Sequence, residues 1–110
     1  MSLLKNEPVE KLRKQIIKSV MDVLMLAELR NGAMSGYDAI SFIHEKFGVL
    51  VSSGTVYSHL YALERDGLVK GDWETKKRVY DITEKGEKAL ETVAKANMEL
   101  LNTLKHVLTP

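Results

Sequence analysis

Four cationic side chains lie close together in the second half of the chain, at Lys70, Lys76, Lys77 and Arg78. Lysine and arginine side chains neutralise phosphate groups, and doing so along a nucleic acid releases condensed counterions. The alternative interpretation is a solvated loop, because lysine is common in polar turns. Three consecutive cations at the tip of a short loop favour phosphate contact, so we predict that these residues bind a nucleic-acid backbone.

Short polar and aromatic side chains form a second candidate group, between residues 52 and 59. Small polar side chains can hydrogen-bond to base edges in a major groove, and a helix N-terminus suits a phosphate. The alternative is a solvated helix face with a capping serine. The group consists of Ser52, Ser53, Thr55, Tyr57, Ser58 and His59.

The aromatic residues allow two interpretations each. For Tyr37 and Tyr57, a phosphate contact through the hydroxyl and packing of the ring remain equally open, and we count both as candidate DNA contacts. Tyr61 and Trp73 are expected to pack within the domain, since a lone tryptophan beside a hairpin more often fills a core.

Other kinds of chemistry find little support. The chain has no cysteine, which excludes disulfides and thiolate metal sites. His44, His59 and His106 lack the spacing of metal ligands. No nucleophile with a base and an orienting acid can be assembled, so we predict no enzyme, no metal and no cofactor.

The elements that must position these residues follow from hydrophobic periodicity. Apolar residues recur at helical spacing from Val9 to about Arg30, and a second helix begins at Ser35 and ends at Gly48. A third helix begins at Ser52 or Ser53 and ends at Gly67, with Val56, Leu60 and Leu63 facing the core. Residues 68–83 alternate loosely around a polar centre, which predicts a two-stranded hairpin.

A last helix is predicted from Thr83 to about His106. Its apolar positions repeat at spacings of three and four, which is the pattern of a coiled-coil seam. A helix of this length overruns a winged-helix core, so its far half needs a second copy of the chain. The predicted dimerisation residues are Leu90, Val93, Asn97, Leu100, Leu101, Leu104, Val107 and Leu108.

These elements predict a mainly α fold with a small β-hairpin wing, namely a winged helix-turn-helix followed by a long dimerisation helix. We divide the chain into a mobile tail (residues 1–8), a DNA-binding domain (9–83) and the C-terminal helix (84–110).

Three segments resemble the PadR family of transcriptional regulators. They are Gly-Tyr-Asp-Ala-Ile at 36–40, Ser-Gly-Thr-Val-Tyr with Leu-Tyr-Ala-Leu-Glu-Arg-Asp-Gly-Leu-Val at 53–69, and Tyr-Asp-Ile-Thr-Glu-Lys-Gly at 80–86. Ser53 and Ser58 stand where the family often has proline, and the wing lacks the usual Gly-Arg pair. The single C-terminal helix is similar to the short-tailed branch of the family.

The resemblance and the residues together predict a sequence-specific, homodimeric repressor that binds double-stranded DNA, with a small-molecule effector left open. The alternative is a winged-helix module that binds another protein and no DNA, which a net charge of only +1 favours slightly. No signal peptide or membrane-spanning segment is visible, so a cytoplasmic location is expected.

Overall fold

The computed structural model describes the backbone of residues 2–110 and the side chains from residue 7 onward. Over that range five helices and three strands follow one another along the chain. They are α1 (Ser2–Ser19), α2 (Met21–Leu29), β1 (Met34–Ser35), α3 (Gly36–Phe47), α4 (Ser53–Arg65), β2 (Val69–Glu74), β3 (Lys77–Ile82) and α5 (Glu84–Leu108).

The first helical segment differs from the prediction in two ways. It begins at Ser2 rather than Val9, and Pro8 lies inside it, so the boundary predicted at Pro8 is wrong; Met1 lies outside the described residues. Proline has a helix-compatible φ and removes one backbone hydrogen bond without necessarily ending the helix. The expected single helix is also divided at Val20, next to Ser19, whose hydroxyl donates to the Ile16 carbonyl at 2.7 Å.

The short helix α2 forms the centre of the core, as its apolar sequence predicts. Met21 and Met25 are fully buried, and Leu29 is nearly so. In α1, by contrast, only Ile17 among the described residues is buried. The predicted stripe of Val9, Leu12 and Ile16 stays about half exposed, because no other described part of the chain covers this side of α1.

Helices α3 and α4 form the helix-turn-helix, and side-chain caps set their ends. Ser35 and Asp38 complete a capping box at the start of α3, where each accepts a hydrogen bond from the backbone N–H of the other. Gly48 ends α3 in the left-handed conformation, with φ of 68°. Val56, Leu60 and Leu63 of α4 are buried as predicted.

The capping box makes stability depend on pH. The Ser35 amide that hydrogen-bonds to the Asp38 carboxylate holds the pKa of that group below its ordinary value of 3.8. The stabilisation is therefore present above that value and is lost as pH falls through the lower pKa of the folded state. We expect Asp38→Ala to lower the free energy of unfolding by about 1 kcal/mol at pH 6. Urea titrations should show the difference shrinking below pH 4, and a constant difference would contradict this origin.

The wing belongs to a three-stranded antiparallel sheet in the order β1-β3-β2, not to an isolated two-stranded hairpin as predicted. The added strand β1 is only two residues long and pairs Met34 with Tyr80. Strands β2 and β3 pair from Val69 opposite Ile82 to Glu74 opposite Lys77. The hairpin turn is therefore Thr75 and Lys76, and Thr75 takes a φ of 60° that a β-branched residue rarely adopts.

Helix α5 begins at its predicted cap, because the Thr83 hydroxyl accepts a hydrogen bond from the Gly86 amide at 3.0 Å. Its 25 residues span about 37 Å. Only its first turns are buried, at Gly86 and Leu90, and its far half leaves the domain. Between Ser2 and Pro110, no helix is both long and apolar enough to cross a membrane.

Candidate nucleic-acid interface

The side of α4 opposite its buried residues forms an open face. Gly54, Ser58, Tyr61 and Arg65 recur at helical spacing and are all exposed or partly exposed. Ser58, a predicted contact, lies at the centre of this face. Tyr61 is 55% exposed, so the prediction that it packs inside the domain is wrong: its position three residues after Ser58 places it on the outer side of the helix. We call these four residues the front of α4.

The N-terminus of α4 is organised by its own polar residues. The Ser52 hydroxyl accepts a hydrogen bond from the Thr55 amide at 3.1 Å and lies 2.9 Å from the Thr55 hydroxyl. Ser52 therefore acts as the helix cap, while Ser53 beside it is exposed. The amides of this first turn point outward along the helix axis, where they suit an anion such as a phosphate.

His59 does not lie on the front of α4, contrary to the sequence interpretation. Its Nδ1 is 2.5 Å from Oδ1 of Asp22 in α2, and the side chain is half-buried. His59 is five positions after Gly54, which places it on the side of α4 that faces α2. The structure thus gives His59 a contact that joins α4 to α2.

Tyr57 also faces inward, and it packs against the start of α3. A Cβ atom added at Gly36 would lie 2.5 Å from the Tyr57 ring, so the absence of a side chain at Gly36 makes this contact possible. The Tyr57 and Tyr61 rings are 6.1 Å apart. Tyr37, next to Gly36, is 72% exposed and remains available for a phosphate.

The wing presents its lysines to solvent. Lys76 lies in the turn, Lys77 opens β3, and both are exposed. Lys77 is near enough to α3 that its charge contributes to the lowered pKa of Asp38, after the larger effect of the Ser35 hydrogen bonds. Lys70 is exposed as well and lies 3.9 Å from Asp72, a pair that contributes little in water.

Arg78 is not at the hairpin tip, and its predicted place among three free cations is wrong. It lies within β3, where its guanidinium donates to Glu64 of α4 at 2.5 Å. The same carboxylate oxygen accepts a hydrogen bond from the Gly71 amide of β2 at 3.0 Å. Partial burial lowers the pKa of Arg78, but the hydrogen bond and charge of Glu64 outweigh that effect and raise it.

Trp73 is 69% exposed, so the prediction that it packs is wrong as well. Its position on the hairpin explains the difference, because Trp73 and Arg78 form the second residue pair from the turn, where the sheet has passed the edge of the core. The Arg78 guanidinium lies 6.0 Å from the centre of the Trp73 ring and 5.7 Å from that of Tyr80. Tyr80 is fully buried, and that burial raises the pKa of its hydroxyl.

The predicted dimerisation residues divide into three groups. Leu90 is only 2% exposed and packs inside its own chain, so its place in an intermolecular seam is wrong. Asn97 is half-buried in a groove of about 310 Å³ that Val23, Leu26 and Val93 also line. The remaining residues are exposed apolar side chains, namely Val93, Leu100, Leu101, Leu104, Val107 and Leu108.

Three of these features were absent from the sequence interpretation. Arg65 was not among the predicted contacts, although its spacing from Ser58 places it on the front of α4. The exposure of Tyr61 followed from the same spacing. The contact of Glu64 with Arg78 joins residues 14 positions apart and had no signal in sequence spacing.

A helix-turn-helix whose second helix leads into a hairpin beside exposed cations defines the winged-helix class of DNA-binding domains. Residues 23–92 match the model of the transcriptional regulator PadR-like family. The chain therefore belongs to this family, as its resemblance predicted. Because the family consists of transcriptional regulators, the prediction that the chain is not an enzyme is confirmed. Among the described residues, no three histidine or acidic side chains lie close enough together to hold a metal ion.

Solved structures have the same fold. The chain is similar to a PadR family transcriptional regulator from Eggerthella lenta, with a TM-score of 0.84, 21% identity and 97% of each chain covered. It is also similar to Bacillus subtilis PadR, solved in complex with operator DNA, with a TM-score of 0.61 and 28% identity over 68% of this chain and 46% of that one.

One curated relative is the transcriptional activator GvpE2 of Halobacterium salinarum, 34% identical over 79 residues. The match covers 72% of this chain, which spans only 40% of that relative's length.

Proposed function

We propose that the chain is a sequence-specific regulator that binds double-stranded DNA as a homodimer and represses transcription. One observation carries the DNA-binding part: tertiary contacts bring the start of α3, the recognition helix α4 and the wing together. Tyr57 joins α4 to Gly36 of α3, and Glu64 joins α4 to β2 and β3. The front of α4 would enter the major groove, while Tyr37, Lys76 and Lys77 would contact phosphates on either side.

Exposed apolar surface supports the homodimer. The far half of α5 carries six large apolar side chains that are at least 46% exposed, from Met98 to Leu108. On α1, Val9, Leu12 and Ile16 are about half exposed too. A monomer seldom leaves so much contiguous apolar surface in water. A second copy would cover it by pairing the two α5 helices along the predicted seam.

Repression is the simplest outcome of such binding. A dimer that occupies a promoter blocks access by its presence, which needs no surface beyond the DNA contacts. GvpE2 is named an activator, but this chain spans only 40% of it. Transcription in vitro from a template carrying the selected site would decide the direction, and a rise in transcript with added protein would contradict repression.

Selection of bound genomic fragments followed by footprinting tests the whole proposal. We expect a two-fold symmetric site whose half-sites are about one helical turn apart, roughly 34 Å. A protected single half-site without symmetry would contradict the homodimer, and the recovery of random fragments would contradict sequence specificity.

Two exposed lysines at the tip of the wing give a quantitative prediction. Lys76→Ala with Lys77→Ala should weaken binding about equally on all sequences, because phosphates carry no base information. The slope of log K against log salt should fall by roughly 0.9 for each phosphate that the variant no longer neutralises. Lys95→Ala with Lys105→Ala, on α5, removes the same charge as a control. A double wing variant whose slope matches that control would show that the wing does not contact phosphate.

A protein-interaction module without DNA binding is the second candidate, and the net charge of +1 favours it. The same salt titration separates the two candidates. Association with duplex DNA that weakens as salt rises supports the regulator, whereas no binding to any duplex at low salt supports the interaction module.

A further inference from the structure

We propose that Glu64 is a positioning residue, which holds the wing at a fixed angle to the recognition helix through Arg78 and the Gly71 amide. The proposal rests on the proposed DNA binding and deepens it. In this proposal Arg78 holds the wing in place and does not contact phosphate. Glu64, although acidic, then favours the binding of negatively charged DNA.

The Glu64 carboxylate contacts both strands of the wing. Oε2 of Glu64 accepts from the Arg78 guanidinium of β3 at 2.5 Å and from the Gly71 amide of β2 at 3.0 Å. One atom on α4 thus holds both strands of the wing. Charge-assisted hydrogen bonds are the stronger kind, and they fix geometry as well as adding energy.

The Glu64 and Arg78 side chains fit closely against Gly71. A Cβ atom at Gly71 would lie 2.8 Å from the Arg78 guanidinium and 2.9 Å from Oε2 of Glu64. The pair therefore occupies the space beside Gly71 that a side chain would take. The Glu64 and Arg78 side chains are only 30% and 28% exposed, so solvent screens this pair less than an open surface pair.

The rest of the wing tip has few other contacts with the described part of the chain. Trp73, Glu74, Thr75, Lys76 and Lys77 are all exposed. The guanidinium of Arg78 lies near the rings of Trp73 and Tyr80, which adds cation–π attraction on the same side of the hairpin. Loss of the contact between Arg78 and Glu64 would allow the hairpin that carries Lys76 and Lys77 to move relative to α4.

The sign of one mutational effect distinguishes positioning from simple electrostatics. Removing a carboxylate near DNA should strengthen binding, and Glu74→Ala on the wing serves as that control. If Glu64 positions the wing, Glu64→Ala should instead weaken binding to the selected operator fragment by about tenfold, the effect of losing one charge-assisted hydrogen bond. Gly71→Ala, which alters no charge, should weaken it similarly by displacing the pair.

The salt dependence then tests Arg78 itself. Arg78→Gln should lower the affinity for the operator fragment and leave the slope of log K against log salt unchanged. The double variant Arg78→Gln with Glu64→Ala should bind no worse than either single variant, because the two residues act as a unit. The proposal is overturned if Arg78→Gln reduces the slope by roughly 0.9 for each copy, as a phosphate ligand would. It is equally overturned if Glu64→Ala strengthens binding as Glu74→Ala does.

A DNA-free measurement separates failure of this proposal from failure of the proposed function. Trp73 is the only tryptophan in the chain and lies on the wing, so its fluorescence anisotropy reports wing motion. In the free protein, Glu64→Ala and Gly71→Ala should lower the anisotropy of Trp73. The unfolding temperature of each variant should stay above the measuring temperature, which shows that the domain is still folded. Unchanged anisotropy in both variants would overturn the positioning role, whereas a wild-type protein that binds no duplex would overturn only the regulator proposal.

Discussion

Leu100→Ser combined with Leu104→Ser is expected to convert the protein from a dimer to a monomer in solution. Both side chains lie on the far half of α5 and are 60% and 46% exposed in the single chain. Their loss should therefore leave the fold of the chain intact while removing the apolar seam that we assign to a second copy. Affinity for a symmetric operator should fall on the order of a hundredfold, since the two half-sites would no longer be bound by one linked assembly.

Sedimentation at micromolar concentration checks this result, and a filter-binding titration checks the affinity. Lys95→Ser with Glu99→Ser on the opposite side of α5 is the matched control, because it alters two exposed residues and leaves the net charge unchanged. A wild-type protein that sediments as a monomer would contradict the proposed dimer, as would a serine variant that stays dimeric. Truncation of α5 is a poorer test near Ala89, because Leu90 belongs to the core of its own chain.

Gly86→Ala should lower the free energy of unfolding by about 3 kcal/mol, although alanine normally stabilises a helix relative to glycine. Gly86 is buried in the first turn of α5. A Cβ atom there would overlap the backbone oxygen of Leu68 and lie 2.8 Å from the Ile82 side chain. A backbone oxygen cannot rotate away, so α5 would have to shift from the sheet.

Gly54→Ala provides the control, because it makes the same substitution in a helix where nothing in the described part of the chain lies within 4 Å of the added Cβ. There the free energy of unfolding should stay the same or rise by up to about 1 kcal/mol. Chemical denaturation of both variants at one protein concentration compares them directly. Equal stability of the two variants would show that Gly86 is not needed for close packing.

Local patterns of the sequence predicted most of the elements and their ends. Ser35 and Thr83 were expected to cap helices and do so, because a cap requires only residues within one turn of each other. For α4 the pattern allowed Ser52 or Ser53, and Ser52 is the cap. The buried side of α4 followed from the spacing of Val56, Leu60 and Leu63. The resemblance to the family likewise rested on contiguous motifs, which can be recognised in the sequence without knowledge of the fold.

The candidate site was predicted less completely, because the partner of a polar side chain depends on distant residues. His59 and Arg78 were grouped with the DNA contacts by residue type and position. In the folded chain Asp22 pairs with His59 across 37 positions, and Glu64 pairs with Arg78 across 14. Lys76 and Lys77 kept their predicted exposure because a two-residue turn places them beyond the core.

The amino-acid order by itself determined the winged helix-turn-helix, since its periodicities and caps act over one or two turns. Only the tertiary structure decided that Leu90 packs inside its own chain, that Trp73 lies in water and that β1 joins the wing. Each of these features depends on where the boundary of the folded core lies, and no local pattern in the sequence gives the position of that boundary. The far half of α5 and the tip of the wing both extend past that boundary, and for this reason apolar and cationic side chains there stay exposed.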